Sequence, residues 1–244
     1  MRDPHRNPGG APSLISREGE ALMLLTGGSE PVLDLDGGWT VRRAERHLRV
    51  GELAGARHEC VDGRLVVTPF PPATESIAMA SLASALVPAA EATGRHVLGR
   101  VNLVFSPTCW IQPDVTVLHT LPATDEEERW VPAELCALAV EFVRAGGPAP
   151  DGADKRRRCA EGGVPYFMRV EIGDRSRRVA MELFGLDDDG RYVPTARAVG
   201  GQRLRARSPF PIDVDPARLL PRTCQTRSTS GPVGHVGSQR GTNR

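Results

Sequence analysis

The chain has 244 residues, of which 40% are hydrophobic and 25% are charged, and its formal net charge at pH 7 is +1. This composition can form one hydrophobic core with additional tails, and it excludes the strongly basic balance typical of many nucleic-acid-binding domains. No stretch reaches the roughly 20 apolar residues of a membrane span, and the first residues lack the apolar run of a secretory signal. We therefore expect a cytoplasmic protein with no membrane partner.

Both ends of the chain have compositions typical of disorder. Residues 1–36 contain Pro-Gly-Gly and other glycine-rich segments, and residues 222–244 consist mainly of Arg, Ser, Thr and Gly. Segments that can bury so little surface cannot recover the entropy lost on folding. We predict one folded domain over residues 37–221, between two disordered tails.

Helical and extended patterns alternate between the tails, which predicts an α/β (α+β) fold with a mixed central sheet flanked by helices. Apolar spacing predicts a first helix over residues 41–53 and a second over residues 74–92. The apolar side of the second helix consists of Ile77, Leu82, Leu86 and Val87.

Turn signals and β-branched runs define the remaining elements. Asp62-Gly63 between two extended segments predicts a β-hairpin. The segment 124–129, with three consecutive glutamates, is predicted to be a solvated loop. Further strands are predicted over residues 96–105, 110–118, 135–143, 166–172, 177–184 and 191–196, with one helix around Lys155.

Two acidic residues stand in strand-like segments. Glu141 interrupts the apolar run 135–143, which is typical of a strand buried on both faces. An ionised carboxylate in such a strand is costly unless a partner charge or a metal ion compensates it. Asp114 follows Pro113, where a solvated aspartate at an edge or bulge is ordinary and, for Asp114 taken alone, the favoured explanation. Glu141 is thus the stronger functional candidate, with a water-exposed strand end as its alternative.

Lys155 is the single lysine among 31 basic residues, and every other one is arginine. Lysine differs from arginine in presenting a compact ammonium group, whose pKa can be shifted by burial. A site that places a point charge beside a reacting oxygen therefore requires lysine. Chance survival of one lysine in an arginine-rich chain is the alternative.

The cysteines form no Cys-x-x-Cys pair and are odd in number. We expect reduced core residues, and neither a zinc site nor a disulfide framework is indicated. They are Cys60, Cys109, Cys136, Cys159 and Cys224.

Five segments, taken in order, match the pattern of a known family. They are residues 58–67 with Glu59 and the Asp-Gly turn, Pro-Asp-Val at 113–115, residues 139–143 around Glu141, the Asp-x-x-x-Lys and Gly-Val-Pro motifs at 151–165, and residues 209–216. Together they resemble the Uma-two family of restriction endonucleases, within the PD-(D/E)XK nuclease superfamily. The resemblance covers about residues 40–220 and implies a restriction-endonuclease-like core.

The resemblance also implies a Mg²⁺ site, with Mn²⁺ as a second suitable ion. Mg²⁺ prefers oxygen ligands and is usually held by one or two carboxylates, water and substrate phosphate. Asp114 and Glu141 match the metal-binding acids, and the backbone carbonyl of Val143 is a candidate neutral ligand. Lys155, which the Uma-two pattern brings from the following helix, would orient the attacking water or stabilise developing charge. Glu59 is implied to be an accessory acid acting through water, its alternative being a solvated strand residue.

The chain departs from the family pattern at several positions, including three near these motifs. Arg144 opens a segment where the family continues Ser-Pro-Ser, Glu75 replaces a histidine, and Cys159 replaces a tyrosine. None of these changes removes a metal ligand. Two functions therefore stay open: an endonuclease that hydrolyses phosphodiester bonds of DNA, and a noncatalytic module of the same fold that binds nucleic acid or protein. A third interpretation is a purely structural ion pair between the acids and Lys155.

Three arginine-rich clusters are candidate contacts for a nucleic acid. They lie at residues 155–158, 175–178 and 203–207. Each can contact phosphates without sequence preference, and each is equally consistent with a hydrated surface. The first lies beside the implied metal site, so we expect DNA as the partner there. A homodimer stays open, and no small-molecule ligand is expected.

Overall fold

The computed structural model describes residues 33–35, 38–48, 57–68, 71–145, 150–173 and 178–221. Residues 1–32 of the predicted N-terminal tail and the predicted C-terminal tail lie outside this part of the chain. So do residues 49–53, the end of the predicted first helix. Strand β1 begins at Leu33, within the segment that the sequence assigns to the N-terminal tail.

The described residues form four α-helices and fourteen strands. The helices are α1 (Val41–His47), α2 (Ala73–Glu91), α3 (Asp125–Arg129) and α4 (Pro150–Glu161). The strands are β1 (Leu33–Leu35), β2 (Arg57–Val61), β3 (Arg64–Thr68), β4 (His96–Leu98), β5 (Leu103–Ser106), β6 (Cys109–Ile111), β7 (Val115–Leu118), β8 (Val131–Pro132), β9 (Cys136–Arg144), β10 (Tyr166–Ile172), β11 (Val179–Leu186), β12 (Tyr192–Val199), β13 (Leu204–Ala206) and β14 (Ile212–Val214).

Two six-stranded sheets make up most of the fold. The first has the strand order β1-β3-β2-β6-β5-β8, and the second has the order β12-β11-β10-β9-β7-β4. Both sheets are mixed, because β5 runs parallel to β8 and β9 runs parallel to β10 whereas the other pairs are antiparallel. The predicted mixed α/β class is confirmed, although the strands divide between two sheets instead of forming one.

The chain passes from the first sheet to the second at residues 112–114. The predicted strand 110–118 is in fact two strands, β6 in the first sheet and β7 in the second. Pro113 lies between them and has no N–H group to donate to a ladder, which favours the break. The predicted strand 96–105 is divided in the same way, into β4 and β5. Asp114 therefore lies at the junction of the two sheets.

The predicted hairpin joins β2 to β3 through Asp62 and Gly63. Both residues have positive φ, 53° and 82°. A two-residue turn of this kind matches the twist of the flanking strands, and aspartate followed by glycine adopts it readily. The turn fixes the register in which Glu59 pairs with Val66.

Helix α2 packs against the second sheet through a stripe of residues spaced by four. Ala78, Leu82, Leu86 and Ala90 are buried there, in a core shared with β7, β9 and β10. Ile77, which the sequence assigns to the apolar side, is 44% exposed. That assignment was wrong because the buried stripe includes two alanines, whose small side chains give a weak hydrophobic signal.

Helix α2 has, by length and composition alone, the features of a membrane span, and it is the one helix of the described ranges that does. Only 22% of the most apolar 18-residue stretch of this helix is buried inside the protein. Its buried stripe nevertheless lies in the core formed with the second sheet.

Two further expectations have definite outcomes. The segment predicted to be a loop contains the short helix α3, whose N-terminus is capped by the Thr124 hydroxyl accepting from the Glu127 N–H at 3.2 Å. The four cysteines of the described segments, Cys60, Cys109, Cys136 and Cys159, are free and buried, as predicted. Cys224 lies outside those segments.

Candidate functional site

Four segments far apart in the sequence meet at the junction of the two sheets. Strand β2 contributes Glu59, the connection between β6 and β7 contributes Asp114, strand β9 contributes Glu141, and helix α4 contributes Lys155. Each of the four residues is at most 5% exposed. All four polar side chains that the sequence singles out are thus brought into one buried cluster.

Lys155 connects two of the acids. Its Nζ atom lies 3.0 Å from Glu59 Oε1 and 3.1 Å from Glu141 Oε2. Lys155 and Cys159 are one turn apart on α4 and both are buried, so this side of the helix faces the protein interior. Burial opposes the ammonium charge, but the carboxylates of Glu141 and Glu59 outweigh it and raise the pKa of Lys155. Lys155 is therefore a charged group at neutral pH.

Asp114 is held against strand β9 by backbone and side-chain contacts. Its backbone N–H donates to the Val140 carbonyl at 2.9 Å, and its Oδ2 accepts from the Phe142 N–H at 2.8 Å. Its Oδ1 accepts from Arg57 Nη1 at 3.1 Å and from Arg100 Nη2 at 3.5 Å. These contacts fix the carboxylate beside Glu141 on the neighbouring strand.

Arg57 is a residue of the site that the sequence analysis missed, as are Arg100 and Gln112. Its guanidinium contacts Asp114 Oδ1 at 3.1 Å, Glu141 Oε2 at 3.2 Å and Glu59 Oε1 at 3.4 Å. It also donates to the Gln112 carbonyl at 2.8 Å. Burial opposes its charge, but the three carboxylates outweigh that effect and raise its pKa. The available signal was its position two residues before Glu59, which places both side chains on one face of β2.

In the described part of the chain, Glu59 has three contacts in the cluster, all of them through one oxygen. Its Oε1 accepts from the Gln112 backbone N–H at 2.6 Å, in addition to its contacts with Lys155 and Arg57. Burial alone would raise the pKa of Glu59, but Arg57, Lys155 and the N–H of Gln112 outweigh it and lower the pKa. Glu59 is therefore a carboxylate over the whole neutral range.

Glu141 differs electrostatically from the other acids. Burial raises its pKa to about 7, because Lys155 and Arg57 only partly offset the burial and the neighbouring charges of Asp114 and Glu59. Its Oε2 contacts Lys155 and Arg57, whereas its Oε1 is buried without a hydrogen-bond partner. An unpartnered buried carboxylate oxygen is costly and marks a place where a further cation or donor would be stabilising.

The donor chemistry fits a hard divalent cation, since the three acids supply only oxygen atoms and Glu141 Oε1 has no partner. The arrangement as it stands is nevertheless closed by Arg57 and Lys155. In the part of the chain that the structure describes, no group of three or more His, Cys, Asp or Glu residues is positioned to hold a metal ion. A metal therefore requires a rearrangement of the side chains around the three acids.

The directions of the backbone carbonyls of β9 determine which residue can supply the predicted neutral ligand. The Phe142 N–H points to Asp114, on the β7 side, whereas the Ala145 N–H donates to the Ile172 carbonyl at the end of β10. Backbone groups alternate between the two neighbours of a strand, so the Val143 carbonyl faces β10 and the Phe142 carbonyl faces the Asp114 side. Phe142 is therefore a second candidate for the neutral ligand predicted at Val143.

The three departures from the family pattern have structural roles of their own. Arg144 at the end of β9 forms an ion pair with Glu75 of α2, with 3.8 Å between Nε and Oε2. Two of the departures thus contact each other. Cys159 is fully buried in a core with Ala139 and Phe167, and burial raises its thiol pKa well above the usual value. None of the three takes a place among the carboxylates of the site.

The basic cluster at 155–158 is largely engaged within the protein. Arg156 lies over the Phe184 ring, 5.0 Å from its centroid, and Arg157 contacts Glu161 at 3.0 Å. Arg158 pairs with Asp62 of the hairpin turn. These contacts favour the hydrated-surface interpretation for much of this cluster. Residues 175–177 of the second cluster lie outside the described segments.

The fold and the site together define a mixed α/β protein with three acids and one lysine at a junction of sheets. A family model described as "Putative restriction endonuclease", Uma2, matches residues 44–219. The chain therefore belongs to the Uma2 family, as the sequence motifs indicate. No curated protein matches it.

Several solved structures are similar to this chain, and one of them is a nuclease by its description. It is the crystal structure of "a putative nuclease belonging to DUF820" from Anabaena variabilis, with 13% sequence identity and a TM-score of 0.44. The similarity covers 62% of this chain and 82% of that one.

Proposed function

We propose that this protein is an endonuclease that hydrolyses phosphodiester bonds of DNA with Mg²⁺ as its natural ion and Mn²⁺ as a substitute. The observation that carries the proposal is the convergence of Glu59, Asp114, Glu141 and Lys155 from four separate segments into one buried cluster. Membership of a restriction endonuclease family supports the same conclusion.

Asp114 and Glu141 are the proposed metal ligands, together with a backbone carbonyl of β9, that of Val143 or Phe142. When bound, the ion would neutralise charge on the phosphoryl oxygens and activate a water molecule. The N–H of Phe142 orients the Asp114 carboxylate for this task. Glu141, whose pKa is raised to about 7, must lose its proton to act as a ligand.

Lys155 is the proposed charge stabiliser. Its ammonium group is charged, buried and held beside Glu141 at 3.1 Å, so it can orient a water molecule or stabilise an oxygen on which negative charge develops. Glu59 positions Lys155 and is the proposed accessory acid, which reaches the ion through water. Its lowered pKa keeps it in the carboxylate form required for this role.

A noncatalytic module is the second candidate, and one observation favours it. Arg57 and Lys155 already compensate most of the charge of the three acids within the protein. Such a cluster can be a structural ion-pair network with no bound metal. In that case the protein would bind nucleic acid or another protein without cleaving it.

Nicking of supercoiled plasmid DNA separates the two candidates. We expect the parent protein to nick the plasmid with Mg²⁺ and not with EDTA, and we expect Asp114→Asn and Lys155→Ala each to reduce the rate at least about a hundredfold. Asp188→Asn, in the exposed turn between β11 and β12, is the matched control and should retain the parent rate. Equal nicking by all four proteins would reject the assignment, and no metal-dependent nicking by the parent favours the module. A parallel assay on RNA tests the choice of DNA.

A cytoplasmic location and a homodimer stay predictions. The location agrees with four free, buried thiols, which a reducing compartment preserves. Size-exclusion chromatography with light scattering measures the oligomeric state directly.

A further inference from the structure

Arg57 occupies the centre of the three-carboxylate cluster. Its two terminal nitrogens contact one oxygen of each acid, namely Asp114 Oδ1, Glu141 Oε2 and Glu59 Oε1. Carboxylate oxygens bind either a guanidinium or a hard cation, and the geometry of contact differs between the two. One oxygen of each acid is therefore already bound to a side chain of the protein, and Glu141 Oε1 stays without a partner.

Charge repulsion adds to this competition for the carboxylates. The guanidinium is always charged, and it lies within 3.4 Å of an oxygen of each of the three acids. Its side chain is only 10% exposed, so water screens it weakly from its neighbours. A divalent ion placed among the acids while Arg57 remains there would face two buried cations, Arg57 and Lys155, at close range.

Among the described residues, withdrawal of the Arg57 side chain would break only contacts of its terminal nitrogens. The side chain is anchored by these nitrogens, whereas its Nε atom has no hydrogen-bond partner. Arg57 is the first residue of β2, so its side chain is attached at the end of the strand. Loss of its contacts with the acids leaves the rest of β2 paired with β3.

We infer that Arg57 is an internal counter-ion that competes with a divalent cation for the carboxylates of Glu59, Asp114 and Glu141, so that metal binding requires the guanidinium to withdraw. The inference rests on the proposed function, because it takes these acids to be the metal site. Arg57 is a positioning residue: it holds the acids together in the metal-free protein and lowers the affinity for the ion.

Calorimetric titration with MnCl₂ tests the competition without any measurement of catalysis. Arg57→Gln should bind Mn²⁺ at least about tenfold more tightly than the parent, because a charge-assisted contact no longer has to be broken. Arg57→Lys keeps a positive charge beside the buried acids, so this variant is the one less prone to misfold. It loses the planar fork of the guanidinium. We expect its affinity to lie between those of the parent and the glutamine variant.

Arg129→Gln is the matched control. Arg129 is a guanidinium paired at 3.1 Å with a carboxylate outside the site, that of Glu45, and its side chain is 41% exposed. Its removal should change the Mn²⁺ affinity less than about threefold. A merely structural role for Arg57 would leave the affinity unchanged or weaken it.

Each outcome of the titration decides the question. Tighter binding in both Arg57 variants supports the competition. If the parent binds Mn²⁺ and the folded Arg57→Lys variant binds it equally or more weakly, the competition is overturned. The proposed nuclease site is then left intact. No Mn²⁺ binding to the parent or to any variant overturns both the competition and the proposed metal site.

Discussion

At the scale of single residues, the sequence signals the acids more clearly than it signals their partner. Glu141 is recognisable because it interrupts an apolar strand, and Lys155 because it is the single lysine. Arg57 is one of 30 arginines, and its role depends on Asp114 and Glu141, which lie 57 and 84 residues away in sequence. Contacts of that separation are set by the packing of the two sheets, so no local pattern predicts them.

The raised pKa of Glu141 predicts a specific dependence of stability on pH. The folded protein holds the proton more tightly than the unfolded chain does, since the pKa is about 7 in the fold against an ordinary value of 4.5. The contribution of Glu141 to the free energy of unfolding is therefore complete below the ordinary pKa and is lost as pH rises through the folded value. The contribution of Glu59 to the free energy of unfolding depends on pH in the opposite direction. It is present above the ordinary pKa of Glu59 and is lost as pH falls.

Chemical unfolding of the parent and Glu141→Gln in EDTA, between about pH 5 and about pH 8, measures this effect. The variant cannot ionise at position 141, so we expect its stability relative to the parent to rise with pH, by up to a few kcal/mol. Stability curves that stay parallel over this range would show that Glu141 titrates normally in the folded protein.

At the scale of elements, the type and length of a helix or hairpin are predicted better than the face that a helix buries. Helix α2 and the Asp62-Gly63 hairpin are confirmed, since periodic spacing and turn chemistry are local properties. The buried stripe of α2 was misplaced toward Ile77, because packing selects Ala78 and Ala90 over a larger apolar side chain. Helix α3 was missed because an exposed helix of five residues, stabilised mainly by its cap, carries no apolar period.

A pair of substitutions in α2 tests the corrected face. Leu82 is fully buried, and Leu82→Ala should lower the free energy of unfolding by about 2–5 kcal/mol through lost burial and a cavity. Ile77 is 44% exposed, so Ile77→Ala should change it by no more than about 0.5 kcal/mol. Urea unfolding of both variants gives the comparison. A larger loss at Ile77 than at Leu82 would reverse the orientation of the helix.

At the scale of the whole molecule, the division into two sheets creates the site. The sequence predicts ten of the fourteen described strands and misses β1, β8, β13 and β14. It also does not reveal that 96–105 and 110–118 each contribute to both sheets. That division depends on long-range pairing, of β2 with β6 and of β7 with β9. It places Glu59 and Arg57 in one sheet and Glu141 in the other, with Asp114 on the connection between them. The carboxylate cluster therefore joins the two sheets.

Anomalous diffraction from crystals grown with MnCl₂ tests most directly whether these acids form a metal site. We predict one anomalous peak within coordination distance of carboxylate oxygens of Asp114 and Glu141, with the Arg57 guanidinium withdrawn from both. Crystals of Asp114→Asn, prepared identically, should lack the peak. An ordered cluster without a peak at saturating Mn²⁺, with Arg57 still bound to the three carboxylates, would show that these acids do not form a metal site.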